Sequence, residues 1–212
     1  MTELPRRLLL LGAAALAGGA LPLRGTAAQQ VDIARATTFI QSVGEEMVRT
    51  INAAGVPIEQ RRERVAQILR TAVDVEGVGR FILGRWWRSA TPEQQQEYLR
   101  LFEQVLIRNL SSRFGEFQGV RFALGRTQQR TEDDVLVNTV VERPNTPPFA
   151  LDWRVAEVGG QPRIVDVIAE GTSLRLTTRS EYSSVVTRNG GDVGALLTAM
   201  RQQIQQLASR EG

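Results

Sequence analysis

A change of hydrophobic period part-way along the chain predicts an α+β fold. Up to about residue 115, apolar side chains recur every three or four positions, as on one face of a helix. From Val120 to Ile168 they alternate, as on one face of a strand, and beyond Leu174 the helical spacing returns. Short, turn-rich links between the alternating runs add that the sheet is antiparallel, because parallel neighbours need long crossovers. The prediction is N-terminal helices, a four-stranded antiparallel meander sheet and C-terminal helices, with an apolar pocket or a packed core between sheet and helices.

Each element has its own signal. Residues 31–54 place Val31, Ala34, Phe39, Ile40, Val43, Met47, Val48 and Ile51 near helical spacing, and Gly55 is a plausible stop. Pro57 opens a second helix over 58–72, with Val65, Ile68 and Leu69 on one stripe and Glu59, Arg61, Arg62, Glu63 and Arg64 on the other face. Alternating signs at that spacing describe a solvated, salt-bridged face. A short helix around 75–83 follows. Thr91-Pro92-Glu93-Gln94 is the strongest start signal in the chain: threonine caps free N–H groups, proline suits the first helical position, and Gln94 completes a capping box. That helix is expected to run to about Phe114, striped by Tyr98, Leu101, Phe102, Val105, Leu106, Leu110 and Phe114.

The strands are Val120-Phe122-Leu124, Val135-Val137-Thr139-Val141, Phe149-Leu151-Trp153-Val155 and a run over 164–168. Glu132-Asp133-Asp134, Pro144 to Pro148 and Gly159-Gly160 read as the turns between them. Two helices, about 174–187 and 192–208, close the chain, separated by Asn189-Gly190-Gly191 with Asp192 as the next cap.

Composition excludes most catalytic equipment. The 212 residues contain no cysteine, histidine or lysine, so all 26 basic residues are arginine. Histidine triads, imidazole and thiolate metal sites, disulfides, Schiff-base chemistry and the lysine-containing phosphate loop all fall away. Carboxylates remain. Asp133-Asp134 reads as turn chemistry, and Asp152, Asp166 and Glu170 are placed to pair with Arg154 or Arg175 in structural salt bridges. A carboxylate-dependent hydrolase is the enzyme alternative they leave open.

Residues 1–28 read as an export signal: Arg6 and Arg7, an apolar run over 8–16, then Thr26-Ala27-Ala28 for cleavage before Gln29. The arginine pair also suits a twin-arginine signal. The expected mature unit is a single domain, 29–212. Setting residues 1–28 aside removes Arg6, Arg7, Arg24 and Glu3, which takes the formal charge from +3 to +1. Such a chain has little pull on nucleic acid. Gly84-Arg85-Trp86-Trp87-Arg88 interleaves cations and aromatics, a cluster that suits lipid headgroups, a partner, or one tryptophan in the core with wet arginines.

The run Val75-Glu76-Gly77-Val78-Gly79-Arg80-Phe81-Ile82-Leu83-Gly84-Arg85-Trp86-Trp87-Arg88, followed by Ala90-Thr91-Pro92-Glu93-Gln94, resembles the MlaC (toluene-tolerance) family of periplasmic lipid-binding proteins. Asp152-Trp153-Arg154-Val155, Ile164-Val165-Asp166-Val167, Glu170-Gly171-Thr172-Ser173-Leu174, Arg179-Ser180-Glu181-Tyr182 and Arg188-Asn189-Gly190-Gly191-Asp192 extend the likeness over roughly residues 30–208. One departure is Pro162-Arg163-Ile164, where many relatives carry an aromatic-Lys-Ile run. Pro162 is tolerated at a strand start.

The resemblance implies a monomeric periplasmic carrier that buries phospholipid acyl chains between sheet and helices. It implies transient partners, an outer-membrane lipoprotein complex and an inner-membrane ABC lipid transporter, and no cofactor, metal or nucleic acid. The apolar members of the predicted inner faces are then the candidate lipid-binding residues: Phe81, Ile82, Tyr98, Phe102, Val105, Leu106, Val137, Leu151, Trp153 and Leu174. Arg85 and Arg88 are candidates for headgroup or partner contact. A hopanoid or other polycyclic lipid, and an envelope adaptor without a ligand, are the competing readings.

Overall fold

The structure, a computed structural model, describes residues 32–209, so the expected export segment, Val31 and the last three residues lie outside the described residues. Helices α1 (Ile33–Ile51), α2 (Ile58–Ala72), α3 (Val75–Leu83) and α4 (Pro92–Ser111) precede strands β1 (Arg121–Gln129), β2 (Asp134–Arg143), β3 (Thr146–Val158), β4 (Gln161–Ala169) and β5 (Thr172–Ser173). Helices α5 (Leu174–Arg188) and α6 (Val193–Ala208) follow.

Short polar side chains set the helix starts. Asp32, Asp74, Thr91, Ser173 and Asp192 each accept a backbone N–H of the first turn, satisfying donors that have no partner within the helix. The capping box at α4 is complete: Gln94 N donates to Thr91 Oγ1 at 3.2 Å, and Thr91 N to Gln94 Oε1 at 3.0 Å. Two helices end earlier than the periodicity predicts. Helix α1 stops at Ile51 because Asn52 turns to the sheet, donating to Val120 O at 3.0 Å and accepting Gly119 N at 2.8 Å. Helix α4 stops at Ser111, and Phe114 is buried from a run of tight turns instead.

The sheet is an antiparallel meander in the order β1-β2-β3-β4-β5. It has one strand more than expected. Residues Thr172–Ser173 lie directly before α5 and pair with Ile168 and Ala169, too short a run to show alternation in sequence. Gly159 and Gly160 close the β3–β4 hairpin with φ of 60° and 79°, the positive pair that matches the twist of the flanking strands.

Asp134 is not a turn residue, as its neighbours suggested, but opens β2 with 1% of its surface exposed. Arg154 Nε donates to its Oδ2 at 2.6 Å. A buried carboxylate needs that partner, since an unpaired charge there would cost several kcal/mol, about 3–5.

Register puts Val135, Val137, Thr139 and Val141 of β2 opposite Val155, Trp153, Leu151 and Phe149 of β3. This face turns to α1, α2 and α4. Its core holds Ala36, Ile40, Val135, Val137, Val155 and Ile164, and continues toward Ile51, Val65, Leu69, Ile107, Phe114 and Val141. A separate all-helical core, built on Ile82, Tyr98, Phe102, Val105, Leu196 and Met200, lies among α3 to α6. Helix α4 belongs to both: Tyr98 to Val105 enter the helical core and Ile107 the sheet-side one.

Candidate functional site

The predicted lining residues divide by burial. Ile82, Tyr98, Phe102, Val105 and Val137 are buried, at most 4% exposed. Phe81, Leu106, Leu151 and Trp153 are half-buried, and Leu174 is 47% exposed. They also divide by place. Phe81, Ile82, Tyr98, Phe102 and Val105 pack in or against the helical core, Val137 and Trp153 in the α1-side sheet core, and Leu151 at its far end. Leu106 touches both the helical core and the far sheet core. It marks the seam along which sheet and helices meet, as does Val165, a β4 residue packed against the helical core.

The helical side of the seam is tightly built. Tyr98 lies parallel to Phe102 with ring centroids 6.1 Å apart, and meets Tyr182 edge-on at 6.3 Å and Trp87 at 6.5 Å. Its hydroxyl donates to Gly79 O at 3.0 Å, so the one polar atom it buries is satisfied. Burial pushes its ionisation far above the usual tyrosine range, and the buried Tyr182 hydroxyl is raised to about 12.

The sheet side is looser. Leu124, Leu151, Trp153 and Val167 stay half-buried on the inner face. Trp153 Nε1 donates to Thr139 Oγ1 at 2.8 Å across the β2–β3 pair, which fixes the indole flat against that face. Sequence periodicity pointed to Trp153 and Leu151; it did not single out Leu124 or Val167, although both belong to the same alternating runs. Two surface concavities lie away from this seam. One of about 600 Å³ runs along α5 beside Ser180, Ser183, Ser184 and Arg188, and one of about 260 Å³ sits between α1 and α2 beside Arg49, Arg61 and Arg64.

The Arg-Trp-Trp-Arg cluster forms a 3-10 turn, Gly84–Trp87. Both indoles are half-buried against the helical core while Arg85 and Arg88 are exposed. Arg85 stacks 4.5 Å over Trp86, and Arg80 lies 5.0 Å over Trp87. The sheet carboxylates are held structurally. Asp166 accepts Ser173 Oγ at 2.6 Å and Arg175 N at 3.2 Å, and lies 3.3 Å from Arg175 Nε. Asp152 accepts Asn138 Nδ2 at 2.7 Å rather than pairing with arginine. Arg154 goes to Asp134, a pairing the sequence reading missed because Asp134 looked like a turn. Glu170, expected as a third partner, sits exposed in the β4–β5 turn with φ of 50°.

Comparison with known proteins decides the family. The model of the MlaC protein family matches residues 41–202. The chain belongs to the MlaC family. The matched span omits the first turns of α1, with Ala36 and Ile40 of the sheet-side core, and the end of α6; the buried helical core and Leu106 and Val165 at the seam fall inside it.

Among relatives, the chain is 24% identical over 128 residues to the toluene tolerance protein ttg2D of Pseudomonas putida, covering 60% of each chain. It is 20% identical over 177 residues to the intermembrane phospholipid transport system binding protein MlaC of Haemophilus influenzae, covering 79% of this chain and 81% of that one. A solved phospholipid-binding protein of Ralstonia solanacearum, crystallised in complex with a phospholipid, superposes with a TM-score of 0.73 and 26% identity. That match covers 82% of this chain and 98% of the other. The α+β arrangement of helices around an antiparallel sheet is therefore shared with a solved protein that holds a phospholipid. No described helix is long and apolar enough to cross a membrane.

Proposed function

We propose that this protein is a periplasmic phospholipid carrier, holding acyl chains between the inner sheet face and the helices and passing lipid between outer-membrane and inner-membrane transport complexes. The observation that carries the reading is the half-buried apolar row on the inner sheet face, Leu124, Leu151, Trp153 and Val167, in a fold shared with a lipid-bound relative. Each methylene moved from water onto such a surface stabilises the complex by about 0.8 kcal/mol. Acyl chains therefore bind without catalytic groups, a cofactor or a metal. The matching family model and the relative named as an intermembrane phospholipid transport binding protein support the transport role.

In this reading residues 1–28 direct export and are removed before Gln29, and residues 29–212 act as one monomeric lipid-binding unit. Leu106, Leu151, Trp153 and Phe81 line the chains at the seam, and the buried Ile82, Tyr98, Phe102, Val105 and Val137 form the wall behind them. Leu174 stands at the mouth, with Arg85 and Arg88 facing the headgroup or a partner. Solvent extraction of the gently purified full chain, followed by mass spectrometry, tests the reading. A diacyl phospholipid recovered near one per protein is expected. A polycyclic lipid, or none, would overturn it.

A further inference from the structure

The junction of α3 and α5 gathers arginines around aromatic rings with too few carboxylates to neutralise them. Arg175 and Arg179 lie one turn apart on α5, their guanidinium carbons 4.3 Å and 4.8 Å from the centroid of the Phe81 ring. Arg179 Nη1 also donates to Phe81 O at 3.2 Å. Its guanidinium rests on Gly84, where an added Cβ would stand 3.1 Å from Nη2. The next residue is Arg85, stacked on Trp86.

Asp166 pairs with Arg175. Among the described residues neither Arg179 nor Arg85 has a carboxylate partner. Glu181 is two positions beyond Arg179, a spacing that sends side chains to different faces of a helix. Burial lowers the pKa of Arg175, as do the nearby charges of Arg154 and Arg130, against the opposing pull of Asp166 and Asp134. Leu176, three positions before Arg179 and so on its face of α5, is 55% exposed.

A guanidinium stacked on a ring spends its face there and keeps its N–H edge available for in-plane acceptors. Arg175 commits Nε to Asp166 and Nη1 to Val165 O, so the edge that matters is that of Arg179, anchored through Nη1 on Phe81 O. Held by Phe81 beside the exposed Leu176, it matches a phosphate attached to acyl chains better than a free anion, which has no use for the leucine. Ordering by the ring also reduces the entropy that binding would otherwise cost. We infer that Arg179, with Arg85 and the charge of Arg175 beside it, forms a binding site for the phosphodiester of a carried phospholipid, with Leu176 against the adjoining end of a chain. The inference rests on the carrier reading and adds a headgroup site to it.

The test equilibrates the full mature chain and its Arg179→Gln and Arg179→Lys variants with vesicles containing equal amounts of phosphatidylglycerol and diacylglycerol of the same chains. Thermal melts establish that each variant is folded, and the two lipids recovered on each protein are quantified by mass spectrometry. Wild type is expected to favour phosphatidylglycerol, with the ratio falling about tenfold in Arg179→Gln and less in Arg179→Lys, as loss of a charge-assisted bidentate contact requires. An unchanged ratio in Arg179→Gln overturns the inference. So does an unchanged ratio accompanied by weakened binding of a polyglutamate peptide, which reassigns the arginines to an acidic partner. Abolition of the wild-type preference by millimolar inorganic phosphate would identify a free-phosphate site and overturn the lipid assignment; persistence of the preference supports it. Uptake of neither lipid by wild type would instead defeat the carrier reading.

Discussion

The helical core and the inner face of the sheet are both apolar, yet they are finished differently. Among α3 to α6, Ile82, Tyr98, Phe102, Val186, Leu196 and Met200 are at most 2% exposed, and Tyr98 has ring neighbours on several sides and its hydroxyl bonded. On the sheet, Val135, Val137 and Val155 are sealed, but Leu124, Leu151, Trp153 and Val167 beside them are not. Side chains sealed like the six in the helical core leave no room for a ligand without losing packing that is expensive to lose, although Phe81, Trp86, Trp87 and Leu106 at the margin of that core are half-buried. Large side chains left half-covered lose little when a second apolar body lies on them. In the proposed carrier, the sealed residues of the helical core serve stability and the half-covered row on the sheet side serves ligand contact.

The strongest way to break this comparison is truncation on each side. Tyr98→Ala is expected to cost about 3–5 kcal/mol, the range for removing a buried aromatic, measured by urea unfolding. Leu151→Ala should cost roughly 1–2 kcal/mol, because less area leaves the interior, while reducing the lipid recovered with the protein. Equal destabilisation by the two would end the distinction.

Alkaline pH sharpens it next, because both tyrosines of the chain, Tyr98 and Tyr182, lie in the helical core. Burial raises both hydroxyls in the folded state, Tyr182 to about 12, against about 10 when unfolded. The folded state therefore holds its protons longer. That contribution is fully present below pH 10 and is lost as pH climbs through 12, about 2–3 kcal/mol for Tyr182 alone. Melting temperatures between pH 9 and pH 12.5 should fall steeply, and Tyr182→Phe should flatten the fall. A wild-type curve that stays level to pH 12 would contradict the assignment.

Gly84→Ala is expected to cost about 1–2 kcal/mol by thermal melting. Gly84 caps α3 with φ of 58° and ψ of −126°, where a side chain is strained, and the added methyl would meet Arg179. Because that contact lies at the proposed headgroup site, lipid selectivity should change along with stability. A variant as stable and selective as wild type would show that the close fit around Arg179 is dispensable.

Much of the fold was legible because local rules govern it. The Thr91–Gln94 capping box, the stripe from Tyr98 to Val105 and the alternation in β2 and β3 each express a periodicity that survives folding. Strand β5 was not legible, since two residues carry no period. The role of Asp134 was hidden for a different reason: acidic neighbours mark turns, and only the register that brings Arg154 beside it makes it a buried ion pair. Of the candidate site, Leu151 and Trp153 could be named from alternation, whereas the sealed state of Tyr98 and Phe102 could not. A helical stripe looks the same whether the surface it meets is a ligand or another helix.

The sequence by itself determined the α+β order of elements, the absence of histidine, cysteine and lysine chemistry, and the likeness to the MlaC family, since all three are properties of residue type and spacing. Tertiary structure decided which apolar faces close on each other, which stay half-open, and that Arg175 and Arg179 converge on Phe81 from a helix nearly a hundred positions away. Burial and charge proximity depend on distance in space, and no local pattern along a chain encodes that distance.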